Sequence, residues 1–139
     1  MTFLNKISEN GHWLLRIFLA VTFLYHGFIK FPIAEMMAQS MGMPVFMVYL
    51  LASMEVAGGV LILAGAYITE LATRLAGGIF TVIMLGAISM VHWPRWSFVA
   101  SESHPMGGME FQVLIILVSL LFVAGGNRAF KSDNLSRID

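Results

Sequence analysis

Four apolar stretches, Trp13–Phe31, Val45–Tyr67, Leu71–Trp93 and Gly108–Gly125, set the terms for what this chain can fold into. A spanning helix needs roughly 20 predominantly apolar residues, and each stretch approaches that length. Turn chemistry bounds them. Asn10-Gly11 precedes the first and Pro32 closes it; Pro44 precedes the second; Ile68-Thr69-Glu70 separates the second from the third; Pro94 ends the third; Gly125-Gly126-Asn127 ends the fourth. In lipid every backbone N–H and C=O must be bonded within the protein, which leaves helices or closed barrels. Barrel strands alternate apolar and polar residues, and these runs do not. The predicted fold is an all-α membrane protein, an antiparallel bundle of four transmembrane helices over residues 1–130. The short second connection makes spans two and three a hairpin, and a polar tail follows at 131–139.

Composition agrees with lipid as the solvent. The 139 residues are 58% hydrophobic and 12% charged, whereas a soluble domain carries about 25% charged residues. The formal net charge is zero, so no basic field favours nucleic acid as a partner. The chain has no cysteine, which excludes disulfides, thiol catalysis and cysteine-bound metals. The 11 methionines read mostly as fillers of irregular apolar space. The first apolar run is too long for a signal-peptide core and lacks a small-residue cleavage site, so it is read as a retained helix.

The connections differ in character. Ile33, Met36, Met37 and Met41 fall at helical spacing, Pro32 suits a first helical position and Gly42 a stop, which predicts a short helix lying on the outer interface. Pro94 to Gly107 reads as an ordered loop or lid. Four spans put both termini and the middle turn on one side, with Lys6, Arg74, Arg128, Lys131 and Arg137, and with Arg16 just inside the first helix; Lys30 and Arg95 lie on the other side. The positive-inside rule then places both termini in the cytoplasm. Trp13, Trp93 and Trp96 fall where an aromatic belt is expected. Ala57, Gly58, Gly65, Gly77, Gly78 and Gly86 are candidates for close helix contacts.

Six ionisable residues fall within or at the edge of the spans: Arg16, His26, Lys30, Glu55, His92 and Glu110. A charge in hydrocarbon costs at least a few kcal/mol, so such residues face a partner or a wet cavity, or snorkel to the headgroups. Counting about 1.5 Å per residue, His26, Lys30, His92 and Glu110 share the outer half, with Glu55 beneath them. Arg16 lies near the inner interface, where it is expected to snorkel. His26 and Lys30, four residues apart, share a helix face. These placements predict a polar pocket opening outward. It would bind a quinone or quinol head through Lys30, His92 and Glu110, with His26 and Glu55 as the catalytic proton-handling groups. The plain alternatives are that Lys30 snorkels, that His92 is an ordinary interfacial residue beside Trp93, and that His26 and Glu55 only pair helices. His26, His92 and Glu110 have ligand chemistry, but no close-spaced motif assigns a metal. A haem between His26 and His92 is a weaker alternative, resting on their similar depth.

The order of several short motifs resembles the DoxX family of small bacterial membrane proteins. They are Leu14-Leu15-Arg16-Ile17, Tyr25-His26-Gly27-Phe28-Ile29-Lys30-Phe31, Glu55-Val56-Ala57-Gly58-Gly59, Leu63-Ala64-Gly65, His92, Gly107-Gly108-Met109-Glu110-Phe111 and Gly125-Gly126. The resemblance implies a four-helix bundle in the bacterial inner membrane. Some members are similar to the large subunit of an archaeal thiosulfate:quinone oxidoreductase, and others are implicated in membrane redox complexes and oxidative-stress handling. It carries over Arg16, His26, Lys30, Glu55, His92 and Glu110 as pattern positions, with Arg16 structural or steadying an anion. The longer carboxy-terminal extension of thiosulfate-oxidising members has no counterpart here, which argues against that substrate. Three functions stay open: a quinone-linked redox subunit fed by a membrane or peripheral redox partner, a non-enzymatic accessory or scaffold subunit, and a small proton-coupled transporter, for which four spans are few and a homo-oligomer could supply more.

Overall fold

The computed structural model describes residues 3–128, with side chains from residue 10 onward. The tail expected at 131–139, with Lys131 and Arg137, lies outside the described residues, as does the side chain of Lys6. The elements in chain order are α1 (Phe3–Lys30), α2 (Ala34–Met41), α3 (Val45–Ala64), α4 (Glu70–Ala87) and α5 (Glu110–Gly125). A π-helical turn, Ile88–His92, prolongs α4, and a 3₁₀ turn, Gly126–Arg128, follows α5. Among the described residues four segments are long and apolar enough to cross a membrane: Asn10–Lys30, Val45–Ala64, Glu70–His92 and Glu110–Arg128. The protein is thus a multi-pass helical membrane protein. The first helix runs through Asn10-Gly11 instead of starting after it, because the left-handed turn that this pair favours competes there with continuous helical hydrogen bonding.

α3 and α4 form the expected hairpin. Gly65 allows the turn: a Cβ there would stand 2.6 Å from the Thr73 amide nitrogen. Thr69 then caps α4, its hydroxyl accepting the Leu71 N–H at 2.9 Å, which satisfies one of the free amides of a helix start. Backbone packing runs α1 on α3, α3 on α4 and α4 on α5, with α2 seated on α3. α1 and α5 meet through side chains, Phe18 edge-on to Phe111 and Arg16 over the Phe122 ring.

The core is a column of Leu19, Ala20, Phe23, Ile62, Ala76, Phe80, Ile83, Ile115 and Phe122. At its middle Phe23 and Phe80 stack, centroids 3.9 Å apart and planes 17° from parallel. Gly58 makes room for that stack, since a Cβ there would lie 2.5 Å from the Phe80 ring. Gly77 lets α5 approach α4, and Gly59 takes Leu24. Gly78 and Gly86, expected at helix contacts, face open space; they sit off the buried side of α4.

α2 is present and ends at Gly42, whose φ of 63° is the left-handed conformation that favours glycine at a helix stop. Pro32 lies in the turn before the helix and not at its first position, because Ile33 N–H bonds back to Lys30 O at 3.2 Å and closes that turn. The face α2 buries is Ala34 and Ala38, against Val48; Met36 is exposed. α2 fills a step. Lys30 is the last residue of α1 yet meets Glu55, ten residues and about 15 Å into α3. α1 therefore ends well below the start of α3.

Gly27 sets the α1–α3 spacing: a Cβ there would lie 2.8 Å from Val56 Cγ2, 3.0 Å from Ala52 O and 3.1 Å from Glu55 Cβ. Gly27→Leu is expected to lose about 1–3 kcal/mol of stability through overpacking. Gly78→Ala, a change in open space, stays within about 0.5 kcal/mol of the parent. Thermal melts of both variants in one detergent check the contrast.

Candidate functional site

Lys30 and Glu55 form a buried ion pair inside the spans. Lys30 Nζ lies 2.7 Å from Glu55 Oε2 and 3.0 Å from Oε1, with side-chain exposures of only 11% and 5%. Its remaining donor goes to the main-chain carbonyl of His26 at 3.0 Å. All three ammonium donors are satisfied, which is the condition for holding a charge out of water. The alternative in which Lys30 snorkels outward is corrected by this contact. Helical side chains lean toward the helix start, so Lys30 folds back along α1 to Glu55. Such a pair is a weak source of stability, because desolvation of both charges offsets their attraction.

His26 sits beside the pair on α1, but its imidazole is exposed on the bundle surface, edge-on to Tyr25 at 5.5 Å. It joins the pair through its backbone carbonyl, and its ring faces outward from the bundle, toward lipid.

His92 belongs to a second centre. Its Nδ1 lies 3.0 Å from Gly107 O and its Nε2 2.9 Å from Gln112 Nε2. A carbonyl only accepts, so Nδ1 carries the proton and Nε2 accepts from the Gln112 amide. Both nitrogens are engaged within the protein, and Gln112 Oε1 is buried without a hydrogen-bond partner. The π turn aims His92. In an uninterrupted α-helix, residue 92 would stand two and a half turns beyond Ile83, on the opposite side. The wider turn, closed by Trp93 N–H to Ile88 O at 2.9 Å, brings His92 back into the interior, where it is buried. Gly107, with φ of 81°, and Gly108, whose Cβ would lie 2.2 Å from Arg95 O, hold the facing loop. Glu110 is half-buried in the first turn of α5, where a carboxylate favours the helix N-terminus.

The expected single pocket is divided. The Lys30–Glu55 pair belongs to α1 and α3; the His92 centre belongs to the end of α4, the following loop and α5. Among the described residues no hydrogen bond or ion pair joins the two, or joins Glu110 to either. No group of three or more His, Asp or Glu with metal-binding geometry occurs among the described residues.

Arg16 does not snorkel. It is 1% exposed and lies at the end of the bundle that carries the tight α3–α4 turn. Nη1 donates to Ile62 O and to Thr73 Oγ1 at 3.1 Å; Nη2 donates to Asn127 Oδ1 at 2.7 Å. The guanidinium carbon sits 4.9 Å above the Phe122 ring, a favourable place for a cation. Asn127 also accepts from Thr73 at 2.7 Å and donates to Gly65 O at 2.9 Å. One cation is thereby linked to every spanning helix. Thr73, Asn127 and Gln112 carry these centres and escaped the sequence reading, which weighed only ionisable residues; their signal was a polar side chain in or just after an apolar run. Arg74, read only as a topological charge, caps α5 by donating to Val123 O at 2.6 Å and Ala124 O at 2.8 Å while paired with Glu70 at 2.5 Å.

Comparison with known proteins agrees with the architecture. The DoxX family matches residues 11–93. A protein of Bacillus subtilis named "Putative oxidoreductase CatD" is 35% identical over 133 residues, covering 94% of this chain and 90% of that protein. No solved structure matches the chain significantly.

Removing Asn127 tests the Arg16 centre. Asn127→Ala takes the acceptor from Arg16 Nη2 and from Thr73 and the donor from Gly65 O. The expected loss is about 1–3 kcal/mol for each buried group left unsatisfied. Chemical denaturation in detergent followed by helical circular dichroism measures it, and an unchanged midpoint would show that the centre adds nothing to stability.

Proposed function

The chain belongs to the DoxX family, and from that premise we propose that it serves as an integral membrane subunit of a quinone-linked redox system, with its active region at Lys30, Glu55 and His26. The observation that carries this reading is the buried Lys30–Glu55 pair beside a lipid-facing imidazole. Hydrophobic residues of similar volume would hold α1 to α3 as well or better, so the retained charges point to use in chemistry. The name of the Bacillus subtilis relative, an oxidoreductase, supports the same class.

Quinone reduction to quinol takes up two electrons and two protons. The chain has no cysteine, and in this reading a membrane or peripheral redox partner delivers the electrons. A quinone diffuses within the bilayer, and its head would reach His26 from the lipid side. The imidazole offers a donor to a quinone oxygen, and Glu55 with Lys30 holds an exchangeable proton next to it. His92 and Gln112 would form a second proton-handling position nearer the loop, and Arg16 a structural centre. The system sits in the bacterial inner membrane with both termini cytoplasmic. Because Lys30 is drawn into the bundle, Arg95 alone among the lysines and arginines remains in the connections at the loop end, which strengthens the charge bias behind that orientation.

A second reading has one observation in its favour: the donors of Lys30 are saturated within the protein, as a purely structural pair would require. The protein would then be an accessory subunit whose polar centres hold its helices for a partner.

Two variants separate the readings in the intact complex. His26→Ala is expected to lower quinone-dependent turnover about 100-fold or more, the usual scale for loss of a proton-transfer group, with little change in melting temperature. The double variant Lys30→Met/Glu55→Leu is expected to assemble and melt like the parent while turnover is lost. Full turnover in both would leave the accessory reading standing and remove the redox one.

A further inference from the structure

The loop between α4 and α5 is built inside out for a segment in water. Trp93, Trp96, Phe98, Val99 and Met106 are exposed, while the intervening Arg95 and Ser97 are half-buried. The backbone fixes this arrangement. Met109 N–H bonds to Arg95 O at 2.8 Å and Gly108 N–H to Ser97 O at 2.9 Å. Ser101 and His104 exchange backbone bonds at 3.0 and 3.1 Å, and His104 Nε2 donates to Trp93 O at 3.1 Å. The loop is therefore an ordered element whose apolar side chains are held outward. Its polar residues, Ser101, Glu102 and Ser103, gather at the tip.

We propose that this loop is a membrane anchor: its Trp93, Trp96, Phe98 and Val99 face lies in the headgroup–acyl boundary of the adjacent leaflet, with the Glu102-Ser103 tip in water. Two features on the molecule select lipid over a protein partner. The loop starts and ends at spanning helices, so its apolar face is continuous with their lipid-facing sides, where Met90, Leu114 and Leu117 are exposed. Its leading residues are tryptophans, whose apolar ring and single N–H suit the boundary between acyl chains and headgroups. The loop thus lies outward from the bundle end and does not close over it as a lid. Through Gly107 O, which accepts a hydrogen bond from His92 Nδ1–H, it ties the buried imidazole to the membrane surface.

Fluorescence quenching tests this without requiring any activity. Trp13→Phe/Trp93→Phe leaves Trp96 as the single reporter in vesicles of phosphatidylcholine brominated at defined acyl positions. The expected result is strong loss of Trp96 emission with bromines near the glycerol end, weaker loss with bromines near the chain end, and little loss with aqueous iodide. Quenching by iodide and not by brominated lipid would overturn the anchor and place the loop in water. Protection from both quenchers would also overturn it and indicate cover by a partner protein or a second copy. Should the double variant fail to fold, the difference in quenching between the parent and Trp96→Phe reads the same position.

Discussion

The contact between the Lys30 ammonium and the Glu55 carboxylate fixes how the rest of the bundle is arranged. It requires the last residue of α1 to stand level with the middle of α3, so α1 stops short and α2 must occupy the space above it. Gly27, one turn before Lys30, admits the close approach. Burying either charge alone in this interior would be costly. Together, with a carbonyl to take the third donor, they form a neutral unit whose geometry is fixed by hydrogen bonds.

Among the described residues the buried polar side chains around Lys30, His92 and Arg16 form separate units rather than one cavity. The His92 unit depends on two departures from regular helix, the π turn that rotates the ring inward and the glycines that bring the Gly107 carbonyl within reach of it. The Arg16 unit sits at the opposite end and depends on aromatic and carbonyl partners instead of an acid. Between them the column from Leu19 to Phe122 is apolar and closely packed. The Arg16 unit is thus separated from the other two by hydrocarbon side chains.

The spans, the tight hairpin and α2 were legible in the sequence because each depends on local signals: run length, a proline or glycine boundary, and helical spacing. Partnership was not. Counting depth from the helix ends assumes that every helix starts and stops at the same level, and α1, whose last residue stands opposite the middle of α3, breaks that assumption; Glu55 is then the neighbour of Lys30 rather than a group lying beneath it. The choice between snorkelling and folding inward, for Lys30 and Arg16 alike, depends on an acceptor that another helix supplies. The direction of His26, away from the bundle, reflects rotation of α1 about its axis, which is set by Gly27 and Phe23. The π turn has no marker in the sequence, so the burial of His92 could be argued only from its depth.

Arg16 has a consequence for how the molecule is made. It lies in the first span, while Asn127, its amide partner, comes 111 residues later. During synthesis the guanidinium enters the bilayer long before that acceptor exists, and Thr73 and Ile62 arrive in between. The bonds made by Nη1 and Nη2 are all closed only after the last helix has been inserted and has brought Asn127 to the same end. A chain truncated before that residue, or one whose final helix is delayed, carries an incompletely bonded cation in its first helix. The Arg16 centre is therefore complete only when all four spans are in place.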